Sequence, residues 1–77
     1  MEQRLKEILG DILDLDPNSI DGSTSKDSTA SWDSLTHINL VLALEQEFQL
    51  SFEVTEIELM LSFDDILQVV MSRLQST

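Results

Sequence analysis

The stretch WDSLTHINLVLALEQEF, residues 32–48, decides the fold. Its apolar residues predict a helix that begins at Asp33–Ser34 and ends near Phe48. Asp33 is the expected N-cap, because its side chain can accept hydrogen bonds from the unpaired amides of the first turn. The apolar positions cover well over half of the helix circumference, so we expect this helix to lie at the centre of the fold and to contact more than one neighbour. These positions are Leu35, Ile38, Leu40, Val41, Leu42, Leu44 and Phe48.

The residues before this stretch predict one helix and one long loop. The helix should end near Asp14, because Pro17 disfavours helical geometry at the residue before it. Gly10 should weaken this helix by about 1 kcal/mol relative to Ala. From residue 16 to residue 31 the chain is almost entirely polar, Gly or Pro, and Ile20 is the expected anchor of this loop to the core. The Ser and Thr residues of the loop leave phosphorylation open beside the simpler interpretation of a solvated loop. The apolar face of the helix is formed by Leu5, Ile8, Leu9, Ile12 and Leu15.

The residues after it predict two more helices. Thr55 and Glu58 have the spacing of a capping box for a short third helix, and Ser62 and Asp65 have it for a fourth. No alternating run of β-branched residues predicts a strand. The fold class is therefore all-α: a four-helix bundle with a short third helix and a long loop between helices 1 and 2, forming a single domain over residues 1–77.

Composition restricts the function classes. Fifteen acidic and four basic residues give the 77-residue chain a net charge of −11, which disfavours binding to nucleic acid or to anionic membranes. There is no Cys and only one His, so thiolate and His-cluster metal sites are not predicted. No apolar run is long enough to span a membrane, and no signal peptide opens the chain. We therefore expect a soluble, monomeric, cytoplasmic domain whose counterparts are basic protein surfaces or divalent cations.

The carboxylates raise the question of a cation site. Asp14, Asp16 and Asn18 have the spacing that opens an EF-hand loop. Ser19 and Ser25 stand where that loop requires a Gly and a bidentate Glu, so a specific calcium site is not predicted. Weak divalent binding is expected at Asp14, Asp16, Asp21 and Glu53.

The residues around Ser34 resemble the attachment site of acyl carrier proteins. Trp32-Asp33-Ser34-Leu35 closes a polar loop and opens an apolar helix, and in that family an Asp-Ser-Leu triplet begins the second helix. The resemblance continues through residues 42–48 and Phe52 and covers essentially the whole chain. It implies that Ser34 carries a 4′-phosphopantetheine arm, which a phosphopantetheinyl transferase takes from coenzyme A.

A catalytic role is not predicted. Ser34 and His37 lie three residues apart and could be mistaken for a nucleophile and its base. A hydrolytic site also needs an orienting group, an oxyanion hole and a pocket, and the sequence has no obvious means to build them. Taken alone, His37 is most simply an exposed residue of a helix.

The resemblance also implies a surface for partner enzymes of the acyl-ligase, ketosynthase or acyltransferase type. Asp33 would help to position the transferase's metal, and Leu35 would contact partners. Trp32 either contacts partners or packs over the loop, and His37 is a further docking candidate. The generic acidic docking candidates are Glu45, Glu47, Glu56 and Glu58.

Departures from the family pattern bear on the pathway. Ala30 and Ser31 stand where primary fatty-acid carriers usually have Leu-Gly, and Thr36, His37 and Asn39 stand where they tend to have acids. The chain therefore looks more like a stand-alone specialised carrier, which leaves fatty acid biosynthesis and other lipid metabolism open. The alternative, from a different class, is a small acidic helical adaptor that binds basic proteins without a prosthetic group.

Overall fold

The computed structural model describes residues 1–75, which form four α-helices and one short 3-10 helix, with no strand. The elements are α1 (Glu2–Leu13), the 3-10 helix (Pro17–Ser19), α2 (Ser34–Phe48), α3 (Val54–Leu59) and α4 (Phe63–Gln75). The predicted all-α architecture, with its short third helix and long first loop, is confirmed. Within these residues no helix has both the length and the apolar character needed to cross a membrane.

The ends of α1 and α2 lie where the sequence predicts them. Asp14 follows α1 in the left-handed conformation, with φ at 59°, and its amide bonds to the carbonyl of Gly10. The Asp33 carboxylate accepts a hydrogen bond of 2.9 Å from the Thr36 amide at the start of α2. Gln49 ends that helix, again in the left-handed conformation. Short-range rules for caps and proline therefore suffice at these boundaries.

The predicted cap of α4 is correct, and the predicted cap of α3 is wrong. Ser62 Oγ accepts the Asp65 amide at 3.1 Å, as the sequence pattern predicts for α4. The predicted capping box of α3 is wrong: it joins Glu53 and Glu56, and the Glu53 amide donates to Glu56 Oε1 at 2.8 Å. Thr55 already lies inside α3, because the carboxylate of Glu53 caps the helix two residues earlier.

The core draws on α1, α2 and α4 and on the segments between the helices, and the half-buried Ile57 of α3 packs against it. Ile20, in the long loop, is 1% exposed, so its predicted role as the anchor of that loop is confirmed. The remaining members are Leu5, Ile8, Leu9, Leu13, Trp32, Leu40, Val41, Leu44, Phe52, Met60, Phe63, Ile66 and Val70.

The long loop is also fixed by its backbone. The Lys26 amide donates to the Leu61 carbonyl, and the Phe63 amide donates to the Thr24 carbonyl, each at 2.8 Å. These two bonds make an isolated antiparallel bridge between the loop and the connection from α3 to α4. The loop that leads into α2 is therefore hydrogen-bonded to the connection between α3 and α4 before it reaches Ser34.

α2 contacts more than one neighbour, as expected, because α1 packs against it and His37 reaches α3, but its apolar circumference is not fully covered. Leu40, Val41 and Leu44 are buried. The exposed fractions of Leu35, Ile38 and Leu42 are 69%, 56% and 58%. A domain this small has too few elements to cover every side of a helix. One apolar row, here called the α2 stripe (Leu35, Ile38 and Leu42), therefore faces solvent.

Candidate functional site

Ser34 is the first residue of α2, and it is exposed. The first amides of a helix have no intrahelical partners and mark the positive end of the helix dipole. A helix N-terminus therefore favours an anionic group such as a phosphate ester. The exposed hydroxyl and the polarity of this helix end both fit a phosphodiester formed at Ser34 Oγ.

Asp33 organises the electrostatics of this helix end. Its Oδ1 accepts the Thr36 amide, and its backbone carbonyl accepts the His37 amide at 2.8 Å. The bond from the Thr36 amide lowers the pKa of the Asp33 carboxyl below its ordinary value, because it stabilises the ionised form. Asp33 is exposed, so an ionised carboxylate lies directly before Ser34 and remains accessible to a partner.

Trp32 and His37 are both buried, with exposed fractions of 2% and 8%. The indole Nε1 of Trp32 donates to His37 Nδ1 at 3.0 Å, and the two rings lie stacked with their centroids 6.2 Å apart. Trp32 is packed into the core against His37, so it is not the exposed partner contact that was one of its two possible roles. The expectation of an exposed His37 is wrong, because the indole and the neighbouring helix cover its ring. Neither side chain offers a partner more than a small part of its surface in this conformation.

The second nitrogen of His37 reaches α3. His37 Nε2 lies 3.0 Å from the carbonyl oxygen of Ile57. An indole nitrogen only donates and a carbonyl only accepts, so His37 accepts at Nδ1 and donates at Nε2. The Trp32 indole, the His37 imidazole and the Ile57 carbonyl together are called the Trp–His link below. It joins the loop, α2 and α3.

Residues 3–70 match the model of a protein family described as the phosphopantetheine attachment site. The chain belongs to this family. The family attaches a 4′-phosphopantetheine prosthetic group, and its domains are non-catalytic carriers. The matched segment runs from α1 into α4 and includes the exposed serine at the start of α2.

The surface of the carrier beside Ser34 is apolar. Leu35, a predicted docking residue, is exposed and directly follows the serine. Ile38 and Leu42 continue the α2 stripe at three- and four-residue spacing, which places all of them on one helix face. The sequence reasoning did not assign docking to Ile38 or Leu42. The available signal was that α2 has more apolar residues than a four-helix domain can bury.

Two of the predicted acidic docking residues on α2 have intramolecular partners. Glu47 Oε1 accepts from Arg4 of α1 at 2.7 Å, and this bond lowers the pKa of the Glu47 carboxyl. Glu45 Oε2 accepts the amide of Phe52 at 2.9 Å. Glu47 therefore lies on the side of α2 that faces α1, away from the α2 stripe. Glu45 closes the turn after the helix.

Of the two acidic candidates on α3, one has intramolecular partners and the other has no ion pair within the described residues. Glu56 takes part in the capping box and lies near Arg73, with 3.4 Å between Oε2 and Nε. Glu58 is exposed, and no ion pair involves it within residues 1–75. Of the four predicted acids, Glu58 is therefore the one whose charge the described fold leaves uncommitted.

The acids expected to bind cations weakly do not form a metal-binding cluster within the described residues. Residues 1–75 contain no cluster of three or more His, Cys, Asp or Glu side chains that could hold a metal ion. Asp16 accepts the Asn18 amide, Asp21 accepts the Ser23 amide, and Glu53 belongs to the α3 capping box. Asp14 is exposed at the end of α1. Weak divalent binding at these separate carboxylates stays a prediction.

Proposed function

We propose that this chain is an acyl carrier protein whose 4′-phosphopantetheine arm is attached at Ser34. It carries acyl groups, or related carboxylic acids, as thioesters and presents them to successive enzymes. The observation that supports this best is the position of Ser34: an exposed hydroxyl at the first position of α2, between the capping Asp33 and the exposed Leu35.

The chain acts as the acceptor in its own modification. Ser34 Oγ forms a bond to the phosphorus that carries pantetheine in coenzyme A. The pyrophosphate bond breaks, the nucleotide leaves, and the hydroxyl proton passes to a base supplied by a phosphopantetheinyl transferase. Once attached, the arm supplies the thiol that forms thioesters. The N-terminus of α2 stabilises the phosphodiester, and Asp33 offers an ionised carboxylate to the transferase's metal.

His37 does not act as a base for Ser34 in this scheme. Both of its ring nitrogens are engaged, one by the Trp32 indole and one by the Ile57 carbonyl. A general base needs a free nitrogen within reach of the hydroxyl proton. The carrier therefore depends on the transferase for activation of its serine, in keeping with the non-catalytic character of the family.

The partner surface combines apolar contact with charge. The α2 stripe offers an apolar row that begins beside Ser34, and Glu58 offers a free negative charge on the neighbouring helix. The net charge of −11 attracts basic surfaces and raises encounter rates more than it deepens affinity. Enzymes of the acyl-ligase, ketosynthase or acyltransferase type with a basic docking patch are the proposed partners. The protein acts as a monomer in the cytoplasm.

Intact-mass measurement tests the attachment. Incubation with coenzyme A, magnesium and a broad-specificity transferase should add a single phosphopantetheine to the wild-type chain. Ser34→Ala should take up none and should keep its helicity, because Asp33 still caps α2. Ser31→Ala is the matched control, since Ser31 is an exposed serine close to Ser34 but lacks the flanking Asp and Leu. It should be loaded like the wild type.

Two results would contradict the proposal. Undiminished loading of Ser34→Ala would move the attachment site elsewhere. An unmodified wild-type mass would instead favour the acidic adaptor, which binds basic proteins through the same surface without a prosthetic group.

A further inference from the structure

The two side chains of the Trp–His link flank Ser34 in the sequence. Trp32 lies two residues before Ser34 and His37 lies three residues after it. Their side chains meet through a hydrogen bond of 3.0 Å. Both are buried, so the bond is shielded from water, where competition from solvent would weaken it. The backbone turn that presents Ser34 is thus closed by a side-chain pair that the chemistry of the serine does not itself use.

Few residue types could replace His37 and keep both hydrogen bonds of the link. The residue at this position must accept from an indole N–H and donate to a carbonyl at the same time. A Phe has similar bulk and can do neither. A Gln has one acceptor and one donor on neighbouring atoms, so it can do both. A structure that needed only a filled cavity here would be satisfied by Phe.

The far end of the link holds the last turn of α3. This helix has six residues, a length at which a helix is marginal by itself. The final carbonyls of any helix need partners from outside the helix. The Ile57 carbonyl accepts the Met60 amide at 3.2 Å and His37 Nε2 at 3.0 Å. His37 therefore caps α3 from a neighbouring helix.

We propose that Trp32 and His37 are positioning residues that connect the Ser34 segment to α3. The link holds the turn from Trp32 to Ser34 in one conformation, and a displacement of the last turn of α3 is transmitted through His37 to that turn. The effect on loading rests on the proposed function at Ser34, whereas the connection between the two segments does not.

Hydrogen exchange and fluorescence test the connection on the unmodified protein. Trp32 is the only Trp in the chain, so all indole emission comes from the link's own side chain and reports its surroundings. His37→Phe should change that emission and raise amide exchange by about tenfold in residues 29–36 and 54–59 together, since it removes one buried and one partly buried hydrogen bond. His37→Gln should restore both readouts towards the wild type. Val41→Ala is the control, because Val41 is buried in the same helix but takes no part in the link. It should raise exchange without singling out these two segments.

Loading kinetics test the positioning. At a temperature where circular dichroism shows every variant folded, His37→Phe should lower kcat/KM for transfer from coenzyme A by about tenfold, the factor that corresponds to about 1.4 kcal/mol. The loss should lie in kcat, because the α2 stripe that contacts partners is unchanged. His37→Gln should keep kcat/KM within about threefold of the wild-type value, a smaller loss than the tenfold one expected for His37→Phe. Where His37→Phe does not fold, Trp32→Phe serves instead. It removes the indole donor and part of the ring while the bond from His37 to the Ile57 carbonyl remains, so kcat/KM should fall in the same direction.

The outcomes separate the two proposals. Wild-type loading by His37→Phe, or faster exchange confined to α3, would show that the link only fills and stabilises the fold. An equal kinetic loss in Val41→Ala would show the same. If the wild-type chain were not loaded at all, the proposed function would be overturned, and the exchange and fluorescence results would still decide whether the two segments are connected.

Discussion

Replacing Gly10 by Ala should destabilise this protein, although Ala is the better helix former. Gly10 is buried in α1, where the chain folds back after the helix, and its carbonyl accepts the Leu15 amide at 2.9 Å. A Cβ atom at Gly10 would lie 2.7 Å from the carbonyl oxygen of Leu15. It would also lie 3.1 and 3.2 Å from ring carbons of Pro17. Backbone and a rigid ring cannot rotate away, so the end of α1 must shift.

The magnitude follows from two opposing effects. The gain in helix propensity from Gly to Ala is about 1 kcal/mol. An overpacked buried site that moves its backbone costs about 1–3 kcal/mol. The difference is a net loss centred near 1 kcal/mol, which for a domain of this size lowers Tm by about 4–8 °C.

Thermal unfolding followed by far-ultraviolet circular dichroism is the assay, with Gly22→Ala as the matched control. A Cβ at Gly22 would also approach another atom to 2.7 Å, but that atom is a carboxylate oxygen of Asp64. Asp64 is exposed and its side chain can move aside, so this variant should change Tm much less. A Gly10→Ala protein that melts above the wild type would refute the close approach of the residue 15–17 turn to α1.

Three further outcomes are expected. The lowered pKa of Asp33 means that its stabilising effect is complete above its ordinary value of 3.8 and is lost as the pH falls through the lower folded-state value. Asp33→Asn keeps the cap without titrating, so its melting temperature should fall less steeply than that of the wild type below about pH 4, and equal slopes would contradict this. Millimolar magnesium or calcium should raise the melting temperature, and sodium chloride should do so in part, because both reduce the repulsion of a chain with net charge −11; indifference to both would argue against it. In binding kinetics with a cognate enzyme, Glu58→Lys should slow association most at low salt, whereas Leu35→Ala should speed dissociation with little salt dependence; a salt-independent Glu58→Lys would remove that residue from the docking surface.

Local sequence was sufficient for most of the secondary structure. Pro17 and Asp33 mark the end of one helix and the start of the next through effects that act within a few residues. Ser62 caps α4 for the same reason. Ser34 was identified by resemblance, because an Asp-Ser-Leu triplet at a predicted helix start, in this helix order, is similar to the attachment site of acyl carrier proteins. The α3 cap was misplaced because Glu53 and Thr55 both lie within two residues of that helix start, and only one of them is used.

The sequence did not show which acidic side chains are paired within the fold. Glu47 and Glu58 are the same residue type, so the sequence alone gave no reason to prefer either as a docking residue. The fold gives Glu47 a partner from α1 and leaves Glu58 exposed on α3. An ion pair between residues 4 and 47 depends on how two helices pack, which no local pattern encodes.

The sequence by itself determined the helices, their order and the exposed serine at the start of α2, because caps, proline and helical periodicity act over a few neighbouring residues. Only the tertiary structure decided which apolar face of α2 stays open, whether His37 is buried, and whether Gly10 tolerates a methyl group. Each of these depends on an atom brought close by the packing of distant segments: the Ile57 carbonyl for His37, and the returning Leu15 carbonyl for Gly10. A periodic pattern gives the faces of a helix, and the packing of the other helices decides which of those faces is covered.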